Sequence, residues 1–373
     1  MRGIYIYYKE IDEKKTNGIE KKVLAQIQLF RECGMECELI FFPCVYTVKN
    51  KILDRIPFTN VNPHWEFDER FKNIDYIYLR RPEYMGYGFR KFLRKVKKEN
   101  PTVKIIMEIP TYPYDKEILG GPFNLPLYIK DCYNRKRLKG YVDKIPVIGD
   151  IDKDMKLWGI DTIPFVNGIQ VKNVRLKKDK HNENEINVIC VSTCEFWHGF
   201  DRLFEGLKKY YDKVPNGKVI NIHVVGDGSE KEKYVNDVKN CGIDKYVHFY
   251  GMLYGEELDE VYDKCDIACA SLGLHRIGVK VGSFLKTREY LAKGMPMLLG
   301  CKIDVIPADF KYCETFEAND NPIEFEEVIK FYDRIYHGKE TREEVIDNIR
   351  RFAEDTVDLQ VTMKEITNYM LNN

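Results

Sequence analysis

Val219-Ile-Asn-Ile-His-Val-Val-Gly-Asp-Gly-Ser-Glu-Lys-Glu232 reads as a strand that runs into a glycine turn and opens a helix. The strand reaches Val225 with Asn221 and His223 as its polar residues, the turn is Gly226-Asp-Gly228, and Ser229 and Glu232 have the spacing of a capping box. The same strand-then-helix pattern recurs on both sides. Strands are predicted at Ile186 to Val191, Val247 to Tyr250 and Asp266 to Ala270. Between them, Leu203, Leu207 and Tyr210 share one helical face, as do Leu258, Val261 and Tyr262. A further helix begins near Ser283 and stops at Gly294, before Pro296. This alternation predicts a parallel sheet wound on both faces by crossover helices.

The first half repeats the pattern less regularly. Strands are predicted at Ile4 to Tyr8, Glu38 to Phe42, Ile74 to Leu79, Val103 to Met107, Lys144 to Ile148 and Thr162 to Val166. Helices carry Val23, Ile27 and Phe30, stopped by Gly34, and then Phe89 to Glu99. A polar, lysine-rich stretch without apolar period separates the two series. The fold class is therefore α/β, with two doubly wound, Rossmann-like domains. One spans residues 1–170, a linker covers 171–185, the second spans 186–340, and residues 341–373 form helices expected to return toward the first domain.

A chain of 373 residues, 44% apolar and 32% charged, has material for two packed cores. No apolar run reaches the ~18 to 20 residues of a membrane span, and the start is too short for a signal-peptide core, so a cytoplasmic location is expected. Eleven cysteines without a CxxC pair read as reduced core thiols, and none stands with histidines at zinc-ligand spacing. The zero net charge conceals an asymmetry: residues 1–180 carry 35 Lys and Arg against 24 Asp and Glu, a net +11 that the remainder cancels. No nucleic-acid module accompanies the basic half.

In open parallel sheets, ligands sit beyond the carboxyl ends of the strands, where helix N-termini direct free amides at anions. Gly226-Asp-Gly228 lacks the third glycine of a dinucleotide fingerprint and reads as a tight turn. Asn17-Gly18 opens the first helix, and its glycine allows a close ligand approach. The most informative turn is Gly282-Ser-Phe-Leu-Lys-Thr-Arg-Glu289. A helix starting at Ser283 would direct the amides of Ser283, Phe284 and Leu285 outward, with Lys286 and Arg288 adding charge, which suits a diphosphate. Glu289 beside these cations is either a ligand contact or a structural ion pair.

With these pieces in order, the chain resembles the retaining glycosyltransferases of family 4, which have the two-domain GT-B fold. The carrying residues are Asn17-Gly-Ile-Glu20, Pro164-Phe-Val-Asn-Gly-Ile169, His198-Gly-Phe-Asp-Arg-Leu203, Val225 to Glu230, Val247-His-Phe-Tyr-Gly251, Tyr262-Asp-Lys-Cys-Asp266 and Ser283 to Pro296. It is most similar to the branch acting on bacterial surface polysaccharides, through Thr111 to Asp115 and Leu285 to Tyr290. The resemblance implies two domains facing a cleft, with a glycan or lipid-linked acceptor at the first and a nucleotide-sugar donor against the second. It implies that Glu289 holds the ribose and acts at the catalytic centre, that the amides of residues 283–285 hold the diphosphate, and that the base lies by Gly251, Met252 and Leu253. Gly18 belongs to the same donor set. Two departures stand out. Thr193 and His198 occupy positions where the family carries Arg and Lys, and Val281 stands where it carries the first of two glutamates. Lys286, Arg288, His198 or Arg276 are the candidates for the missing positive charge. Valine accepts no hydrogen bond, so Val281 leads one to expect a donor with fewer or displaced hydroxyls, such as a deoxy or acetamido sugar.

Glu108 at a strand end, with Asp115 and Glu117 beyond it, forms the acceptor-side set, Glu108 and Asp115 being catalytic candidates. Asp150-x-Asp152-x-Asp154 mimics a metal motif but reads as a helix-opening turn, and no metal cofactor is expected. His64 reads as surface or core. Phe89, Phe92, Leu93 and Val96 form the packed face of an amphipathic helix whose cations, Arg90 to Lys98, are available to anionic lipid. Two other functions fit the same outline: a sugar-nucleotide epimerase, and a silent nucleotide-sugar-binding subunit.

Overall fold

The computed structural model describes residues 1–12, 18–121, 123–149, 152 and 154–372. Asn17 and Asp150, singled out above, lie outside the described residues. The chain divides into two compact units, Met1–Asn167 with Leu359–Asn373, and Gly168–Asp358.

The first unit runs β1 (Arg2–Tyr7), α1 (Gly18–Glu32), β2 (Glu36–Phe41), α2 (Val48–Leu53), β3 (Tyr76–Arg80), α3 (Tyr87–Glu99), β4 (Lys104–Tyr112), α4 (Asp115–Leu119), α5 (Leu125–Arg135), β5 (Ile145–Gly149), β6 (Lys156–Leu157) and β7 (Ile160–Pro164). Its sheet has the order β2-β1-β3-β4-β5-β7-β6, parallel apart from the antiparallel β6–β7 pair. β1 and β3 are buried along almost their whole length because crossover helices cover both faces, which is why they read as apolar runs. Gly34 ends α1 with φ +79°, a left-handed conformation that glycine adopts without strain.

The second unit runs β8 (Glu185–Val191), α6 (Phe200–Lys213), β9 (Val219–Val225), α7 (Lys231–Asn240), β10 (Val247–Gly251), α8 (Gly255–Lys264), β11 (Ile267–Cys269), β12 (Val281–Gly282), α9 (Leu285–Ala292), β13 (Met297–Leu299), β14 (Lys302–Ile303), β15 (Cys313–Thr315), α10 (Phe325–Tyr336) and α11 (Arg342–Thr356). Its main sheet is wholly parallel, in the order β10-β9-β8-β11-β13-β15, and β12 pairs with β14 apart from it. The last helices, α12 (Leu359–Thr362) and α13 (Lys364–Leu371), belong to the first unit, where Leu359, Met363, Ile366 and Met370 pack with Tyr5 and Phe30.

Four expectations need correction. Residues 171–185 belong to the second unit: Val171 is in its core, Arg175 pairs with Asp259 and Asp263 at 2.9 and 2.8 Å, and the buried Lys177 ammonium donates to the Cys265 carbonyl at 2.7 Å. Lysines at period-free positions looked solvated, but their partners lie some eighty residues away. Of the terminal helices, α11 also stays in the second unit. Ser229 and Glu232 do not cap α7, which starts at Lys231. The Ser229 hydroxyl donates instead to Glu195 at 2.7 Å, and a capping box is formed by Thr341 with Glu344. Finally, β12 to β15 and the helices α2 and α4 were not foreseen, being too short for a periodic signal, and α5 was missed because it is polar on its buried side. All eleven cysteines are free, and six of them are buried.

Glu108, expected to face a cleft, is fully buried at the centre of the first unit. Its carboxylate accepts from Lys22 and Gln26 at 2.9 Å, from the Tyr78 hydroxyl at 2.7 Å and from Arg80 at 3.3 Å. Lys22 also donates to Asn167, and Gln26 accepts from Tyr5, so one carboxylate ties α1, β1, β3 and β4 together. Burial alone would raise its pKa, but Lys22, Arg80 and the two neutral donors outweigh burial and hold it down to about 2. A carboxylate this committed cannot touch an acceptor; it is structural.

Glu108→Gln keeps the shape but leaves Lys22 and Arg80 uncompensated, and is expected to destabilise the protein by ~3–5 kcal/mol in urea titrations. Because the folded pKa is depressed, the carboxylate's contribution is present above its ordinary value and is lost as pH falls from about 4.5 toward about 2. Wild type should lose stability across that window more steeply than the variant.

Candidate functional site

In the second sheet the chain winds one way from β8 to β9 and the other way to β11, so the crevice beyond the carboxyl ends of β8 and β11 is the topological switch point. The loop after β8 carries Thr193 and His198, and the loop after β11 carries Ser271. The two are fastened by the Leu272 amide donating to the His198 carbonyl at 2.8 Å. Gly199, at φ +66°, and Gly273 make this approach possible: a Cβ on Gly199 would lie 2.5 Å from the Gly273 nitrogen. α9 then brings Lys286 to the same place.

There the Lys286 ammonium donates to Ser271 Oγ at 2.7 Å and lies 3.2 Å from His198 Nδ1. His198 Nδ1 is also 2.6 Å from Ser271 Oγ, and its Nε2 is 3.4 Å from Thr193 Oγ1. Burial, followed by the charge of Lys286, pushes the imidazole down to about 3, so it is neutral at ordinary pH. Burial likewise lowers Lys286 to about 8. Among the described residues, no carboxylate is hydrogen-bonded to this ammonium. A half-buried cation whose partners are a hydroxyl and a neutral ring is poised to attract an anion.

The other candidate cations are occupied. Arg276 is bonded to Asp201 at 2.6 Å, to Asp320 at 2.7 Å and to the Phe196 carbonyl at 2.7 Å. Arg288 is fully buried, paired with Asp304, and donates to Ser283 Oγ at 3.2 Å. Both pin loops in place and leave no charge for a ligand. α9 begins at Leu285 with Phe284 as its N-cap, two residues later than expected, because Val281–Gly282 is held in strand pairing with Lys302–Ile303. The outward amides of the first turn are therefore those of Leu285 and Lys286, while Ser283 and Phe284 precede the helix. A Cβ on Gly282 would collide with the Phe284 ring, which folds back over it.

Glu289 lies on the second turn of α9, half-buried. Val281 is exposed at the mouth of this loop. Gly251, at φ +71°, ends β10 and accepts the Gly226 amide at 2.8 Å, leaving Met252 exposed and Leu253 half-buried beside it. Gly226 and Gly228 are explained by packing: a Cβ on either would strike the backbone of Ser192 or Cys194. The Gly226-Asp-Gly228 turn is thus a loop-to-loop contact.

In the first unit a cavity of about 390 Å³ opens beyond the ends of β1, β3 and β4, lined by Tyr8, Arg80, Arg81, Tyr84, Thr111 and Glu117 among others. Gly18 opens α1 at this end of the sheet. Arg81 is paired with Glu117 at 2.7 Å and Arg80 with Glu108 at 3.3 Å, and the buried Nε of each has no partner. Asp115 does not line the cavity, being paired with Arg135 at 2.9 Å. His64 is exposed, with Nδ1 2.8 Å from the Asn60 carbonyl. Asp152 and Asp154 are exposed, and no metal-ligand cluster occurs among the described residues. Sequence reasoning overlooked Ser271 and Arg80. Both directly end a predicted strand, a position that could have flagged them.

Residues 172–282 match the family model of group 1 glycosyl transferases. No curated protein matches the chain. Several solved structures share its architecture at low identity. A glycosyltransferase from Rickettsia africae is 13% identical with a TM-score of 0.65, the match covering 100% of this chain and 99% of the other. The lipopolysaccharide outer core galactosyltransferase WaaB, in its apo form, is 14% identical with a TM-score of 0.57, over 99% and 98%. Anabaena HepE, in complex with UDP and glucose, is 10% identical with a TM-score of 0.55, over 100% and 99%. The chain thus has the GT-B fold of glycosyltransferases and carries the group 1 glycosyl transferase segment in its second unit.

Proposed function

We propose that the protein is a retaining glycosyltransferase that moves a sugar from a nucleotide-diphosphate sugar to an acceptor hydroxyl in surface-polysaccharide assembly. The observation that carries this reading is Lys286, an ammonium without a carboxylate partner at the switch point of the segment that matches the family. The donor diphosphate would take the Lys286 ammonium and the amides of Leu285 and Lys286, with Ser271 and neutral His198 fixing the lysine's direction. Glu289 would accept from the ribose hydroxyls, and the base would lie along Gly251 to Leu253. HepE was captured with UDP and glucose, which supports a donor of this class.

The acceptor hydroxyl attacks the anomeric carbon as the bond to the diphosphate breaks, and charge grows on the leaving oxygen. Fixed amides and a desolvated ammonium stabilise that charge without reorganisation, so the catalysis is electrostatic. Lys286 therefore replaces the cations absent at Thr193 and His198. On the acceptor side, the first unit's cavity, lined by Glu117 and by Arg80 and Arg81, would receive the acceptor in place of the buried Glu108 and the paired Asp115. Val281 accepts no hydrogen bond from a donor hydroxyl that binding desolvates beside it, which favours a deoxy or acetamido donor.

Turnover decides among the rival functions. Release of nucleoside diphosphate that depends on acceptor marks the transferase, isomerised donor an epimerase, and binding without turnover a silent subunit. Activity is expected to survive EDTA, and Glu289→Gln is expected to weaken donor binding by ~1.5–3 kcal/mol.

Lys286→Met removes a cation that burial disfavours, so its thermal midpoint should equal or exceed that of wild type while donor binding is lost. Arg276→Ala should instead cost ~2 kcal/mol, because Asp201 and the Phe196 carbonyl lose their partner. If Lys286→Met unfolds the protein, the lysine is structural.

A further inference from the structure

α5 is amphipathic in the reverse sense. Its inward face carries Lys130, Asp131 and Asn134, all buried, while Leu125, Ile129 and Tyr133, at i, i+4 and i+8, face outward. Two of these buried residues are well partnered: Lys130 donates to the Asp54 carbonyl and Thr59 Oγ1 at 2.8 Å, and Asp131 accepts from the Met85 amide at 2.7 Å, while Asn134 donates to the Lys130 carbonyl at 2.8 Å. Beside it α2 buries none of its residues, and Val48 is 77% exposed. Phe58 and Phe123, 68% and 84% exposed, complete the apolar surface with Ile52 and Ile56.

These pieces are joined. Arg55 donates to the Phe123 carbonyl at 3.0 Å and to Asn124 at 3.1 Å, the Phe58 ring lies 5.7 Å from that of Tyr87, and Arg90 spans the rings of Tyr87 and Tyr133. The rim is cationic. Lys49, Lys51, Lys91, Arg94, Lys136 and Arg137 are exposed around it. α2 has no acid, the single acid of α5 is the buried Asp131, and Glu83 at the border accepts from the Tyr46 hydroxyl at 2.5 Å.

We propose that this face of the first unit, built on α2, Phe58, Phe123 and α5, docks on an anionic lipid surface. A soluble surface rarely gathers this many large apolar side chains, and an interfacial site combines them with a basic rim. The charge pattern fits anionic headgroups, while Phe123, Ile129 and Val48 are placed to enter the acyl boundary. α3, expected from the sequence to supply the contact through Arg90 to Lys98, contributes only cations. Its apolar face is buried, and Lys97 is paired with Asp143 at 2.7 Å.

Co-sedimentation of the full chain with phosphatidylcholine vesicles, with and without about a third phosphatidylglycerol, tests this. Retention by the anionic vesicles is expected, partly reversed by salt. Phe123→Asp/Ile129→Asp should lower it about tenfold or more, and so should Val48→Ser/Ile52→Ser, a pair on a helix that buries nothing, with unchanged thermal midpoints. Lys49→Ala/Lys51→Ala should reduce the salt dependence. Equal retention on neutral and anionic vesicles, or wild-type retention by both apolar variants, overturns the proposal. A dimer in sedimentation that Phe123→Asp/Ile129→Asp abolishes, without vesicle binding, assigns the face to a second copy and also overturns it.

Discussion

The hydrogen bond from the Leu272 amide to the His198 carbonyl, 2.8 Å long, closes the loop after β8 onto the loop after β11. Almost everything at the switch point follows from that closure. It requires two glycines, Gly199 and Gly273, whose backbones touch where any side chain would collide. It sets His198 against Ser271, and Ser271 in turn receives the ammonium of Lys286. Arg202 adds a clamp from α6, donating to the Leu272 carbonyl at 2.5 Å. The lysine is thus aimed by a preformed frame, which is the condition for a charge to act on a leaving group without reorganising first.

The two units use buried charge in opposite ways. In the middle of β4 the carboxylate of Glu108 collects two cations and two neutral donors, and is spent on holding four elements together. At the end of β8 the ammonium of Lys286 has a hydroxyl and a neutral imidazole, so its charge is unspent. Burial disfavours the charged form in both places, yet Glu108 is driven down in pKa by its partners, whereas Lys286 is driven down by burial itself. Both values fall, but the fall favours the charged form of the acid and disfavours that of the base, and this separates a structural charge from one available to a ligand.

The α/β character and the switch-point logic were legible because long buried strands such as Val219 to Val225 are mostly apolar and end in glycine turns. The role of Lys286 was legible only as one of four options, since choosing among Lys286, Arg288, His198 and Arg276 needs the partners Asp304, Asp201 and Asp320, which lie 16, 75 and 44 residues away in sequence. Glu108 misled for the same reason: a strand-end acid looks accessible until Lys22 and Gln26, on a helix more than eighty residues earlier, are seen to cover it. α5 was invisible because its periodicity is inverted, apolar outside and polar inside, so a search for a core-facing stripe finds nothing to place.

The central claim is that the charge of Lys286 serves the donor's diphosphate, and its titration is the most direct test. In the free protein the ammonium loses its proton near pH 8, and a bound diphosphate would raise that value, so binding must take up a proton once pH exceeds it. Calorimetric affinity should be measured for the nucleotide sugar that a thermal-shift screen selects, from about pH 7 to about pH 9. The account predicts affinity that falls as pH rises through 8 in wild type, by up to about tenfold per unit, and a flat profile in Lys286→Arg, which stays charged. Affinity in wild type that does not change across this range would contradict it.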